Sequence, residues 1–294
     1  MLEEAHLGLN LSLIPQARYA EAIALAKGLR ASGPPELTLC AEVMWGTGLS
    51  VESAHPIEAE FHLHEAERLL HEQKEYSGPI TATQINYQLA AVAGQQGRSR
   101  EAIDLYRKVL AMIDRGEAKL DILRNIMLYN NLAYHLHLVG DPSASDTVRE
   151  GIRLAKEKGS LSHLPYLYST SGEIALAQND LKAAEKYFTE GFSLAEQIPV
   201  PERIAGLTAN LGLVAIEQQD HVLAIERLKT ALKLAEQLGS HHLEVRIRIW
   251  LAPLLPFEEA RSCLEKAREL AEKNGLASLL GEIAELDQRL SNTL

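Results

Sequence analysis

Apolar positions in the second half of the chain fall on a helical period, and the whole block then recurs. Ala184, Phe188, Gly191 and Ala195 are spaced by four, three and four residues, the mark of one narrow stripe along a helix. Ala224, Leu228, Ala231 and Ala235 repeat the stripe forty positions later. Gly172, Ala175, Gln178, Asp180, Leu194, Glu196 and Gln197 also meet the same residue forty positions on. The unit is a helix with a small residue at its centre, a polar turn, and a second helix with an alanine near its start and a large apolar residue four places later. Small residues at fixed places let helices approach closely, and the large ones fill the space between successive pairs.

The frame extends in both directions. Towards the amino end, Leu132-Ala133 stand where Leu211-Gly212 stand, with Asp141 expected to cap the second helix and Pro142 to open it. Before that, Ala90, Gly97, Ala102 and Tyr106 repeat the scheme, with Ser99 as the expected cap. Towards the carboxyl end, Leu251-Ala252 keep the frame, Pro256 shortens the turn, and Ala260, Leu264 and Ala267 resume it. The stretch from Ala277 to Leu290 reads as a single amphipathic helix, with Leu279, Ile283, Leu286 and Leu290 on one side, suited to covering the open end of a stack. At the front, helices are expected over Glu36 to Leu49 and Ile57 to Gln73, with Ala59, Leu63 and Ala66 in the second-helix places. Leu7-Gly8 and Ala22 suggest a degenerate first unit, although Leu9 to Leu13 also alternates as a strand would. Loops at Gly33-Pro34-Pro35, Ser77-Gly78-Pro79 and Pro199-Val200-Pro201 separate units. The pattern predicts an all-α, single-domain solenoid over residues 1–294, with about seven helix pairs and a capping helix over residues 277–290.

Leu211-Gly212, Ala215, Ala224, Leu228 and Ala231, with their counterparts Gly172, Ala175, Ala184, Phe188 and Gly191, resemble the tetratricopeptide repeat (TPR) signature. The resemblance covers most of the chain and implies a right-handed superhelix of antiparallel helix pairs. Its period near 40 exceeds the usual value of about 34 residues. That long form is similar to the adaptor-type repeats of spindle-orientation and kinesin-light-chain proteins, and to the sensor arms of MalT-like bacterial regulators. The family fixes architecture more firmly than function.

Composition agrees with thin helix contacts, since 46% of residues are hydrophobic and only 5% aromatic. A formal net charge of −11 argues against direct nucleic-acid binding, which needs clustered Lys and Arg. Cys40 and Cys263 lack CxxC spacing, which fits a reducing, cytoplasmic setting. No signal peptide or membrane-length apolar run is legible, so the Asn10-Leu11-Ser12 acceptor pattern is discounted and no membrane partner is expected. His62 with His64, and His135 with His137, are two apart and point to nearly opposite sides of a helix, and His241-His242 are expected in a loop between units. These histidines are therefore read as solvent-facing or capping, with no metal and no cofactor implied. No nucleophile elbow or P-loop is present, and the helical carboxylates alternate with Lys and Arg as a solvated face does. An enzyme is not expected.

The TPR resemblance implies a groove lined by the first helix of each pair. The positions it selects are Gln84, Tyr87 and Gln88; then Asn130, Asn131 and Tyr134; then Tyr166, Ser169, Thr170 and Glu173; then Asn210; then Arg246. Asn131, Thr170 and Asn210 hold equivalent places, like the asparagine column with which many TPR proteins hold a ligand backbone. An amide offers an extended chain both a donor and an acceptor, and these amides are read as free of duties in helix packing. The leading expectation is a non-enzymatic module that binds a neutral or basic peptide or protein segment. The alternative is a ligand-sensing arm of a larger MalT-like or signal-transduction ATPase transcription regulator, with a small-molecule effector; Met1 directly before an apparent helix would suit such a fragment.

Overall fold

The computed structural model describes residues 18–33, 37–52, 55–73, 80–117, 120–198 and 200–291. The expectations at Leu7-Gly8, Leu9 to Leu13, Asn10 to Ser12, Pro34-Pro35, Ser77 to Pro79 and Pro199 lie outside them. Among the described residues the chain forms fourteen α-helices and no strand. They gather into two compact units, Met1–Pro142 and Ser143–Leu294.

The first unit holds α1 (Tyr19–Ser32), α2 (Thr38–Glu52), α3 (Pro56–Glu72), α4 (Ala82–Gln95), α5 (Ser99–Asp114) and α6 (Ile122–Leu138). Each helix packs on the next, and α2 also meets α4, as α4 meets α6. Stacking between neighbours and next-but-one neighbours is what a repeat array requires. Its core runs from Ala22 and Ala26 of α1 through Leu39, Met44, Leu63 and Ala66 to Ile85 and Val92. Buried charge is also present. Glu42 accepts from Arg30 Nε at 2.7 Å and lies 2.6 Å from His62 Nδ1, while the His62 ring stacks on Trp45 with centroids 3.9 Å apart. Burying a carboxylate is tolerated when partners of this kind surround it.

The second unit holds α7 (Ala144–Glu157), α8 (Leu164–Ala177), α9 (Leu181–Gln197), α10 (Pro201–Glu217), α11 (His221–Leu238), α12 (His241–Leu251), α13 (Phe257–Lys273) and α14 (Ala277–Ser291). Here again neighbours pack, and α8 meets α10, α10 meets α12 and α12 meets α14. The second helix of each pair buries one stripe: Ala184, Phe188, Gly191 and Ala195 on α9, and Ala224, Leu228, Ala231 and Ala235 on α11. The matching small residues admit the large ones. A Cβ on Gly172 would stand 2.3 Å from the Phe188 ring, and one on Gly212 would stand 2.9 Å from Leu228. Leu279 and Ile283 of α14 are buried with Leu264, Ala267 and Ala271 of α13. Arg248 is buried between Glu244 (2.8 Å) and Glu236 (2.6 Å).

The structure corrects four local expectations. Asp141 is not the N-cap residue of the following helix: α7 begins at Ala144 after a turn at Pro142 and Ser143, Ser143 takes the N-cap place, and the Asp141 carboxylate accepts from Arg107 at 3.2 Å. Ser99 is the first residue of α5 and not its cap; its hydroxyl lies 3.3 Å from His135 Nδ1. His62 and His135 are buried and not solvent-facing, each beside a polar partner and an aromatic ring. His241 and His242 open α12, because Ser240 follows the left-handed Gly239 and the helix begins at once.

Candidate functional site

Apart from Arg246, the positions selected from the sequence fall into one set in each unit. In the first unit, Gln84 serves its own helix: its side chain accepts from the Thr81 N–H while Thr81 Oγ1 accepts from the Gln84 N–H, closing a capping box. Tyr87 is buried edge-on to Tyr106 at 5.8 Å, and burial pushes its hydroxyl pKa up to about 12. Asn131 donates to the Tyr106 hydroxyl at 3.3 Å, and Asn130 donates to Asn131 Oδ1 at 3.2 Å. Tyr134 lies edge-on to His135, while Gln88 is half-buried. The Asn131 amide thus ties α6 to α5.

The second unit gathers its set more closely. Tyr166, Ser169 and Glu173 recur every three or four residues on α8 and share one face, with Thr170 next to Ser169. Asn210 of α10 sits against that face, its Nδ2 donating to Ser169 Oγ and to Glu173 Oε1, both at 3.2 Å. Ser169 Oγ donates in turn to the same Glu173 oxygen at 3.1 Å. Seven residues earlier on each helix, the Arg203 guanidinium lies over the Tyr166 ring, 4.8 Å from its centroid. The pairs 166–203 and 173–210 have the same separation in sequence. They form two rungs between parallel helices, two turns apart.

Between the rungs stands Gly206, half-buried, with nothing within 4 Å of where its Cβ would be. A bare backbone there lets another chain approach closely. Thr170 is buried beside Ser169, and Arg246 lies over the Trp250 ring of its own helix, α12, at 5.0 Å. Arg203 is not among the sequence candidates, because it lies nine residues before Gly212 and the groove positions implied by the resemblance reach back only seven. Its signal was Tyr166, whose partner is placed 37 positions on and not forty. The amides of Asn131 and Asn210, read from sequence as unneeded for packing, are both bonded between helices.

A separate recess opens on a different face of α8, lined by Val148, Ile152, Ile174, Gln178 and Tyr187. Its polar groups are engaged. Gln178 donates to Ser145 at 3.4 Å, and Asp180 caps α9 by accepting from the Ala183 N–H at 3.0 Å. The two rungs, by contrast, hold a carboxylate and a guanidinium that form no ion pair among the described residues.

No family model matches the chain, and no curated protein matches its sequence. Solved structures do. A Rap protein complexed with competence and sporulation factor superposes with a TM-score of 0.78 at 14% identity, covering 99% of this chain and 86% of that one. NprR in complex with its cognate peptide NprX gives 0.71 at 14%, covering 98% and 84%. A signal-transduction ATPase (STAND) protein with a tetratricopeptide repeat sensor, from Pyrococcus horikoshii, gives 0.59 at 15%, covering 92% of this chain and 42% of that one. At such identities the likeness is one of fold: the chain has an all-α, TPR-type repeat architecture.

Proposed function

We propose that this chain is a non-enzymatic binding module that holds an extended peptide or protein segment against the face made by α8 and α10. The observation that carries the reading is the pair of rungs, Tyr166 with Arg203 and Glu173 with Asn210, flanking the bare backbone at Gly206. An extended segment needs hydrogen-bonding side chains, an aromatic surface and room for its backbone, and this face supplies all three. The fold likeness to NprR, solved with its cognate peptide, supports the same class of ligand.

A displayed library of random heptapeptides, panned on the purified chain, provides the test. Enriched peptides are then measured by calorimetry against wild type, Tyr166→Ala and Asn210→Ala. Each substitution is expected to weaken binding by about tenfold, the loss of one aromatic contact or one to two hydrogen bonds. Affinity unchanged in both variants sinks the reading. A second reading, a ligand-sensing arm of a larger transcription regulator, draws on the likeness to the STAND protein, whose chain is less than half covered. Finding an ATPase or a helix-turn-helix domain encoded in the same gene would favour it.

A further inference from the structure

Glu173 and Arg203 are both half-buried on the ligand face, and both lack a counter-ion among the described residues. Glu173 Oε1 is occupied by two neutral donors, Ser169 and Asn210, which fix the carboxylate and leave Oε2 without a partner among the described residues. Arg203 is fixed by Tyr166, and its buried Nε has no hydrogen-bond acceptor among the described residues. Elsewhere in this unit the buried charges are neutralised: Arg248 has both Glu244 and Glu236. A charge held by neutral neighbours on a half-exposed residue is arranged for a partner that arrives from outside.

We infer that the face selects an extended segment carrying a basic side chain, which meets Glu173, and an acidic side chain about three residues away, which meets Arg203. This rests on the binding face proposed above and names what it recognises. The spacing follows from geometry. Seven residues of helix at ~1.5 Å each separate the rungs by about 10 Å, and an extended chain covers that in about three residues. Gly206 lies between the rungs, where the intervening backbone passes.

The test compares wild type, Glu173→Gln, Glu173→Asp and Arg203→Gln on the same heptapeptide library. Glutamine keeps the acceptor oxygen that Ser169 and Asn210 use, and aspartate keeps the charge; melting curves check that each variant folds. Wild type is expected to enrich peptides with Lys or Arg three residues from Asp or Glu. In a synthetic consensus peptide, replacing the lysine by norleucine should weaken binding to wild type and to Glu173→Asp by about tenfold, but to Glu173→Gln by less than about twofold. Replacing the acidic residue by its amide should show the same coupling with Arg203→Gln. Peptides that bind and depend on Tyr166, yet show no such coupling, overturn this inference and leave the binding face standing. Binding that depends on the free α-ammonium, lost on acetylation and indifferent to norleucine, also overturns it. If wild type enriches no peptide, the binding face and this inference fall together.

Discussion

Two glycines on neighbouring helices should respond to alanine with opposite signs. Gly172 faces the buried Phe188 ring, so an added methyl has to displace a core aromatic; Gly172→Ala is expected to lower unfolding free energy by about 1–3 kcal/mol. Gly206 is helical with open space beside it, so Gly206→Ala is expected to raise it by about 0.5–1 kcal/mol through helix propensity alone. Urea unfolding of the two variants decides both, and equal signs would show that the Phe188 contact is not tight. His135 supplies a pH-dependent counterpart. Burial lowers its pKa, so the unfolded chain takes up the proton first. Its contribution is complete above the unfolded value of about 6.5 and is lost as pH falls below that value. Stability should therefore drop more steeply between pH 7 and pH 5 in wild type than in His135→Gln, by unfolding measured at each pH.

Helix ends show how much of the fold was legible from sequence. The first helices of four successive pairs are followed by a residue with positive φ: Gly97, Gly140, Asn179 (+59°) and Gln219 (+62°). Asp180 and Asp220 then cap α9 and α11, each accepting an N–H at 3.0 Å. The repeat made these turns readable, because small residues, turns and large apolar residues all keep one period. Gln219 is the strained member, since a long side chain in the left-handed region costs energy that glycine avoids. Gln219→Gly is expected to stabilise by about 1 kcal/mol and Asn179→Gly by less, read as shifts in the denaturant midpoint. What escaped the sequence has no period. Arg30, Glu42 and His62 meet across three helices, and Arg203 finds Tyr166 only once α8 and α10 lie side by side. Asp141 lost its expected role because the turn at Pro142 and Ser143 delays α7, a matter of local geometry and not of pattern.

At the scale of the whole molecule, the packing is a chain of neighbour contacts within each unit, so a terminal helix stabilises only what lies beside it. Removing residues after Lys273 uncovers Leu264, Ala267 and Ala271 and forfeits the burial of Leu279 and Ile283. At about 1.5–3 kcal/mol for each large side chain, the loss is expected to reach about 3–6 kcal/mol and to bring concentration-dependent association. Sedimentation and thermal melting of the truncated chain test this; a monomer of unchanged melting temperature would show that α14 is dispensable. The two rungs have a consequence of another kind. One ends in a guanidinium and the other in a carboxylate, on helices that run the same way, so the face has a head and a tail. On the reading proposed above, a segment with the order of its charges reversed would have to lie the other way round to meet both. Such a surface would read direction as well as composition, and two segments built from the same residues would be different messages to it.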